Sequence, residues 1–209
     1  MSPLRHPVPT MKLRSLSFLA ASLILVACAD TTGLTPDLKR GPSPESNPNA
    51  VVTVVEYGDI QCPACKTSYE LVVKPLLKQY GSKIRFEFHE MPLSSIHSYA
   101  LPAAEAAECA ADQGKFWQFL DLAYAEQDKL PKEPYADWAV RLGLDTELFH
   151  RCRTSHIKRK AIKAEYEEAV QKGVGGTPTY FVNGQEVEGT VEALSTAIDQ
   201  AITNIGNNL

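Results

Sequence analysis

The 209-residue chain lacks an excess of basic charge, lacks an apolar run long enough to cross a bilayer, and holds one Cys-x-x-Cys spacing without a second. Each lack removes a class of function. Nucleic-acid partners require a basic field against the phosphates, whereas the formal charge is -4. Arg5, Lys12 and Arg14 are the only charged groups before Cys28, and without them 18 basic residues face 25 acidic ones. No nucleic-acid partner is expected, and a solvated acidic surface accounts for the balance. The apolar or small stretch over residues 16–27 reaches about 18 Å at about 1.5 Å per residue, short of the roughly 30 Å hydrocarbon core. A structural zinc site needs four ligands. Cys62 and Cys65 offer two, and His89 and His97 have neither a close CxxC-His spacing nor the HxxxH spacing of a helical pair. No metal is expected.

What the sequence does hold begins with an address. Its length and 44% hydrophobic content suit one domain with an ordinary core. Counted from Met11, Lys12 and Arg14 form a short positive region ahead of the apolar stretch, the pattern of a secretory signal. Residues 1–10 are superfluous to it, which makes Met11 a candidate start. The stretch ends in Leu25-Val26-Ala27-Cys28, which resembles the bacterial lipobox, where a small residue precedes a cysteine that becomes the lipid-modified mature N-terminus. Two other readings stay open: an ordinary cleaved signal with an unrelated cysteine, and an uncleaved anchor. Residues 28–49, with Pro36, Pro42, Pro44 and Pro48 and little to bury, read as a flexible tether able to hold a domain tens of ångströms from a bilayer. The tether is too short to be a dimerisation domain.

Residues 50–57 (AVVTVVEY) are β-branched and nearly continuous in apolar character, as in a strand buried on both faces of a parallel sheet. Gly58-Asp59-Ile60-Gln61 and Cys62-Pro63-Ala64-Cys65 follow directly. Tyr69, Val72, Val73, Leu76, Leu77 and Tyr80 then recur at helical spacing, with a kink expected at Pro75. Ile84, Phe86 and Phe88 alternate with Arg85 and Glu87 as a second strand. A thiolate, not a thiol, attacks a disulfide, and an unperturbed cysteine is mostly protonated at neutral pH. The start of a helix supplies unpaired N–H groups and the positive end of the macrodipole, and Cys62 gains most from both. Cys65, one turn on, is placed to resolve a mixed disulfide. Position at a strand-to-helix turn therefore favours redox chemistry over metal binding.

The strand, the Cys-Pro-x-Cys turn and the later Gly175-Gly176-Thr177-Pro178-Thr179-Tyr180-Phe181-Val182-Asn183-Gly184 resemble the DsbA-like family of thiol–disulfide oxidoreductases, over roughly residues 50–204. The resemblance implies an α/β, thioredoxin-like fold with an inserted α-helical subdomain. It makes the Thr177-Pro178 bond cis and sets it beside the reactive cysteines, where its backbone edge pairs with an extended substrate. The family's buried acid stands six residues before the first cysteine, the place of Glu56 here. Such a carboxyl has a raised pKa and exchanges a proton with Cys65. A glutamate at a strand edge facing water is the plainer alternative.

The helical insertion is expected over about residues 94–172. Residues 100–111 are rich in helix formers, Phe116, Trp117, Phe119, Leu120, Leu122 and Ala123 suggest a buried helix, and residues 138–142 and 157–170 give more. In the family this insertion is a lid that helps shape a substrate groove. With Cys28 lipidated and Cys62 paired to Cys65, Cys109 and Cys152 are the two cysteines left, and export favours a structural disulfide between them. Two buried free thiols are the alternative. Lys158, Arg159, Lys160 and Lys163, followed by Glu165, Glu167 and Glu168, read as a solvated, salt-paired face. After Thr177-Pro178 come a strand, an Asn183-Gly184 hairpin turn and a last helix capped at Gly189-Thr190.

Three segments result: a lipoprotein signal at 1–27, a tether at 28–49 and the thioredoxin-like domain at 50–209. The expected function is disulfide exchange with exported cysteine-containing proteins, in a bacterial cell envelope, with a membrane redox partner resetting the Cys62–Cys65 disulfide and no other cofactor. An oxidase ranks ahead of a reductase. Two positions depart from the family's strongest oxidants: Ala64 stands where a histidine precedes the second cysteine, and Thr177 where valine precedes the cis-proline. Both departures point to a less oxidising pair. A copper-binding lipoprotein using Cys62 and Cys65 as soft ligands and a catalytically idle adaptor stay open as readings of another class.

Overall fold

A computed structural model of the protein describes residues 30–207. The signal segment and Cys28 lie outside the described residues. A four-stranded sheet runs in the order β2-β1-β3-β4. Its first strand, β1 (Val52–Gly58), pairs in parallel with β2 (Ile84–Glu90), Val52 opposite Ile84 and Gly58 opposite Glu90. On its other side β1 pairs antiparallel with β3 (Thr179–Val182), with Glu56 opposite Tyr180, and β4 (Gln185–Val187) closes a hairpin on β3. Asn183 and Gly184 supply the turn, both in the left-handed region at φ 46° and 80°. In β2 Ile84, Phe86, Phe88 and Glu90 are buried and alternate with half-exposed Arg85, Glu87 and His89, the period of two that the sequence shows.

The crossover from β1 to β2 is helical: α1 (Pro63–Ser68), a π-helical turn (Tyr69–Val73) and α2 (Lys74–Tyr80). Pro75 lacks the N–H that a continuous α-helix would use, and the wider π turn just before it accommodates the loss. Five helices separate β2 from β3: α3 (Ala100–Ala111), α4 (Phe116–Ala125), α5 (Tyr135–Arg141), α6 (Thr146–Ser155) and α7 (Arg159–Gln171). Their inner faces bring Phe116, Phe119, Leu120, Trp138 and Phe149 into one core with Val54, Phe86 and Phe88 of the sheet. The insertion therefore shares the core of the thioredoxin unit. The chain ends on α8 (Val191–Gly206), whose first turn is capped by Thr190 Oγ1 accepting from Ala193 N at 3.2 Å.

Two sequence expectations need correction. From residue 30 onward the segment read as a flexible tether is a strap held against the protein, first by Arg151 of α6 and Lys158 and then, over residues 40–47, along the free edge of β2. Ser43 N donates to Phe86 O at 2.8 Å, Asn47 N to Ile84 O at 2.9 Å, and the Arg40 guanidinium to Phe88 O. Arg40 also pairs with Glu108 of α3 and Glu165 of α7, and Leu34 packs on the core. The Glu45 carbonyl passes so close over Gly81 that a Cβ there would lie 2.1 Å from it. A composition count sees four prolines and few apolar groups, but the strap is held by backbone bonds and one arginine, which such a count does not register. The basic run is the second correction. Lys158 is fully buried, with Nζ donating to Asp112 Oδ1 at 2.6 Å and to the Asp37 carbonyl of the strap at 2.7 Å, and Arg159 pairs with Glu105. The partners of Lys158 and Arg159 are acids of α3 and its C-cap and a carbonyl of the strap, not acids of their own helix.

Candidate active site

The chain leaves the end of β1 at Gly58, turns through residues 59–61 and enters α1 with Cys62 as its N-cap residue and Pro63 at the first helical position. No side-chain oxygen caps this helix. The Cys62 sulfur instead lies by the first N–H groups, those of Ala64 and Cys65. The Cys65 side chain first, with the Cys65 and Ala64 backbone N–H groups, outweighs burial and brings the Cys62 pKa down to about 5. Cys62 keeps 6% of its surface exposed, whereas Cys65 is fully buried. Burial, then the neighbouring Cys62 sulfur and Glu56, hold the Cys65 thiol far above the usual range. Both are free thiols in this structure.

Across from the turn, the Thr177-Pro178 bond is cis, and the Cys62 thiol donates to the Thr177 carbonyl oxygen at 3.5 Å. Glu56 faces the interior of the sheet with no exposed surface, and burial pushes its pKa up to about 8. Its carboxyl oxygens lack a hydrogen bond of good geometry, and the nearby Tyr180 hydroxyl offsets only part of the burial. Its neighbour on β3, Tyr180, shares a 2.8 Å hydrogen bond with Ser68 of α1. Glu56, Cys65 and Tyr180 thus form a buried polar group under the exposed edge of Cys62.

Cys109 of α3 and Cys152 of α6 are joined by a disulfide, their Cα atoms 5.8 Å apart. This pair lies in the insertion, not at the turn. Among the described residues no group of three or more His, Cys, Asp or Glu side chains could hold a metal ion. Three polar residues around the turn escape sequence reasoning. Asp59 is buried and held by His97 and Leu93 N, and Gln127 bonds two carbonyls of the turn. His97 is conspicuous in the sequence only as a rejected zinc ligand, and nothing in the pattern around Gln127 singles it out.

Residues 46–200 match the family described as thioredoxin. The chain belongs to the thioredoxin family. Among solved structures, this thioredoxin-family chain superposes on a thioredoxin-like oxidoreductase from Silicibacter pomeroyi with a TM-score of 0.67 at 28% identity, covering 77% of this chain and 94% of that one. The thiol-disulfide exchange protein α-DsbA2 from Wolbachia pipientis gives a TM-score of 0.64 at 25% identity, covering 79% and 88%. The fold is accordingly thioredoxin-like, in the form these oxidoreductases share. A Na(+)/H(+) antiporter, NhaA 3 of Salinispora tropica, is 41% identical over 170 residues, which are 80% of this chain and 25% of that protein. The chain spans about a quarter of the length of the curated relatives it matches.

Proposed function

We propose that the protein works in a bacterial cell envelope as an oxidase of exported cysteine-containing proteins, with Cys62 as the exchanging sulfur, Cys65 as the resolving one and Glu56 as the proton donor and acceptor. The observation that carries this reading is the opposed environment of two cysteines three positions apart. A stabilised Cys62 thiolate makes the reduced pair favourable and the disulfide a good oxidant. In the forward step a substrate thiolate attacks Cys62 Sγ and the Cys62–Cys65 bond breaks. Cys65 leaves and takes the proton that Glu56 holds at neutral pH. A second substrate thiolate then attacks the substrate sulfur of the mixed disulfide, forming the substrate disulfide and releasing Cys62 as a stable thiolate. Two electrons now rest on the pair, and a membrane redox partner removes them.

Thr177 and cis-Pro178 offer the backbone edge for the substrate strand. Export is supported by the signal pattern and by the Cys109–Cys152 disulfide, a bond that persists in oxidising compartments. The relatives carry the matching segment within chains named as antiporters, consistent with work beside a membrane. Among the described residues no helix is long and apolar enough to cross one, and lipidation of Cys28 supplies the attachment. Mass spectrometry of the mature N-terminus checks that attachment directly.

The equilibrium of the Cys62–Cys65 pair with glutathione tests the direction. An oxidase gives a potential well above that of thioredoxin, and a value below about -250 mV establishes a reductase instead. Ala64 and Thr177 are the two positions that favour the reductase.

A further inference from the structure

The turn that carries Cys62 is held from outside the thioredoxin core. Asp59 Oδ2 accepts from Leu93 N at 2.9 Å and lies 2.8 Å from His97 Nδ1, while Oδ1 accepts from Gln61 N at 2.7 Å. Opposite a carboxylate oxygen, Nδ1 is the nitrogen that carries the proton and donates. Asp59 has no exposed surface, so each donor it loses leaves a buried charge less satisfied. Tyr99 N donates to Gln61 Oε1 at 2.6 Å. From just beyond α4, the Gln127 amide donates to Ile60 O at 2.8 Å and to Cys62 O at 3.0 Å.

The same turn reaches both sulfur-bearing residues. Asp59 N–H donates to Cys65 Sγ at 3.4 Å, and Asp59 O accepts from Cys62 N at 3.0 Å. A grip on the Asp59 side chain is therefore a grip on the backbone unit that touches the pair. At the other end of the turn, the Cys62 carbonyl oxygen brings partial negative charge close to its own sulfur, and the Gln127 amide opposes it.

We propose that His97 and Gln127 are positioning residues for the cysteine pair, His97 acting through the Asp59 carboxylate and Gln127 through the Ile60 and Cys62 carbonyls, so that Cys62 Sγ stays over the first N–H groups of α1. The proposal rests on the reading of Cys62 and Cys65 as the reacting pair. Losing either side chain loosens the turn and removes donor charge near Cys62. The thiolate is then less favoured, and the equilibrium moves toward the disulfide.

The test is the glutathione equilibrium of the pair together with ultraviolet titration of the Cys62 thiolate, in His97→Ala, His97→Asn, Gln127→Ala and Gln127→Glu. His97→Ala and Gln127→Ala are expected to shift the equilibrium by about tenfold, which is about 30 mV, and to move the thiolate titration to higher pH. Gln127→Glu, the same size with an acceptor in place of the donor, shifts both further. His97→Asn keeps an N–H donor where Nδ1 stood and stays within about twofold of the wild type. Equilibria unchanged in His97→Ala and Gln127→Ala overturn the proposal, as does a His97→Asn variant displaced as far as His97→Ala. Should the alanine variants fail to fold, an unchanged Gln127→Glu overturns it equally. Disulfide exchange that survives Cys62→Ala sinks the reading of the reacting pair instead, and is read separately.

Discussion

Two cysteine pairs sit in one small protein under similar cover. Cys62 and Cys65 are 6% and 0% exposed, Cys109 and Cys152 1% and 2%. Burial does not separate them. Cys62 stands at the entrance of a helix, where the first N–H groups have no partner of their own, and Thr177 faces it across the gap. Cys109 and Cys152 lie inside α3 and α6, where the helix has used its donors, among Ala106, Ala110, Phe119 and Phe149 of the core. Their 43-residue separation also closes a long loop, which three positions cannot. Unpaired backbone donors make a cysteine reactive here, and loop length makes the other pair structural.

The most drastic way to break this comparison is to remove one sulfur. Cys62→Ala is expected to abolish exchange with a disulfide substrate, and activity that persists would leave the turn with no special role. Alkylation is the next largest contrast. In the reduced protein Cys62 should react with a half-maximal rate near pH 5, whereas Cys65 stays unmodified to alkaline pH. The sign carries over to stability. A folded-state pKa below the usual thiol value contributes stability that is full above about pH 9 and is lost as pH falls through about 5. The thermal stability of the reduced protein relative to Cys62→Ala should therefore grow with pH across that window.

Replacing both Cys109 and Cys152 by serine should cost up to about 4 kcal/mol by the loop-closure argument and leave the potential of Cys62–Cys65 unchanged. Denaturant unfolding and the glutathione equilibrium check the two halves. A shift in potential as large as that expected for Gln127→Ala would mean that the pairs are coupled. The last contrast concerns Glu56. Its raised pKa means that the unfolded chain ionises from about pH 4.5 while the folded one keeps its proton up to about 8, so the folded state loses ground as pH rises between them. Glu56→Gln removes that loss. Its melting temperature should rise relative to the wild type from pH 5 to pH 8, by about 2–4 °C for each kcal/mol recovered, and a difference that does not vary with pH would contradict the buried, protonated carboxyl.

The two sides of the active site were unequally legible. Cys62 and Cys65 stand out because a strand pattern ends and a helix pattern begins around them, and the β-branched run places Glu56 on a strand. The strap and the insertion's grip on the turn were not legible. Arg40 reaches Glu108 and Glu165 across 68 and 125 residues, and Gln127 reaches Cys62 across 65. A lone polar residue at such separation leaves no periodic trace, and Lys158 looked like its solvated neighbours until α3 and the strap closed over it.

By itself the sequence determined the sheet-helix-sheet unit with its reactive turn, the helical character of the insertion and the Asn183-Gly184 hairpin, because these follow from local periodicity and turn chemistry. Only the tertiary structure decided which donors surround Cys62, that residues 40–47 lie along β2, and that Asp59 is anchored by His97. Those outcomes depend on distant groups being desolvated together, and a buried charge or an unpaired strand edge finds its partner in space rather than along the chain.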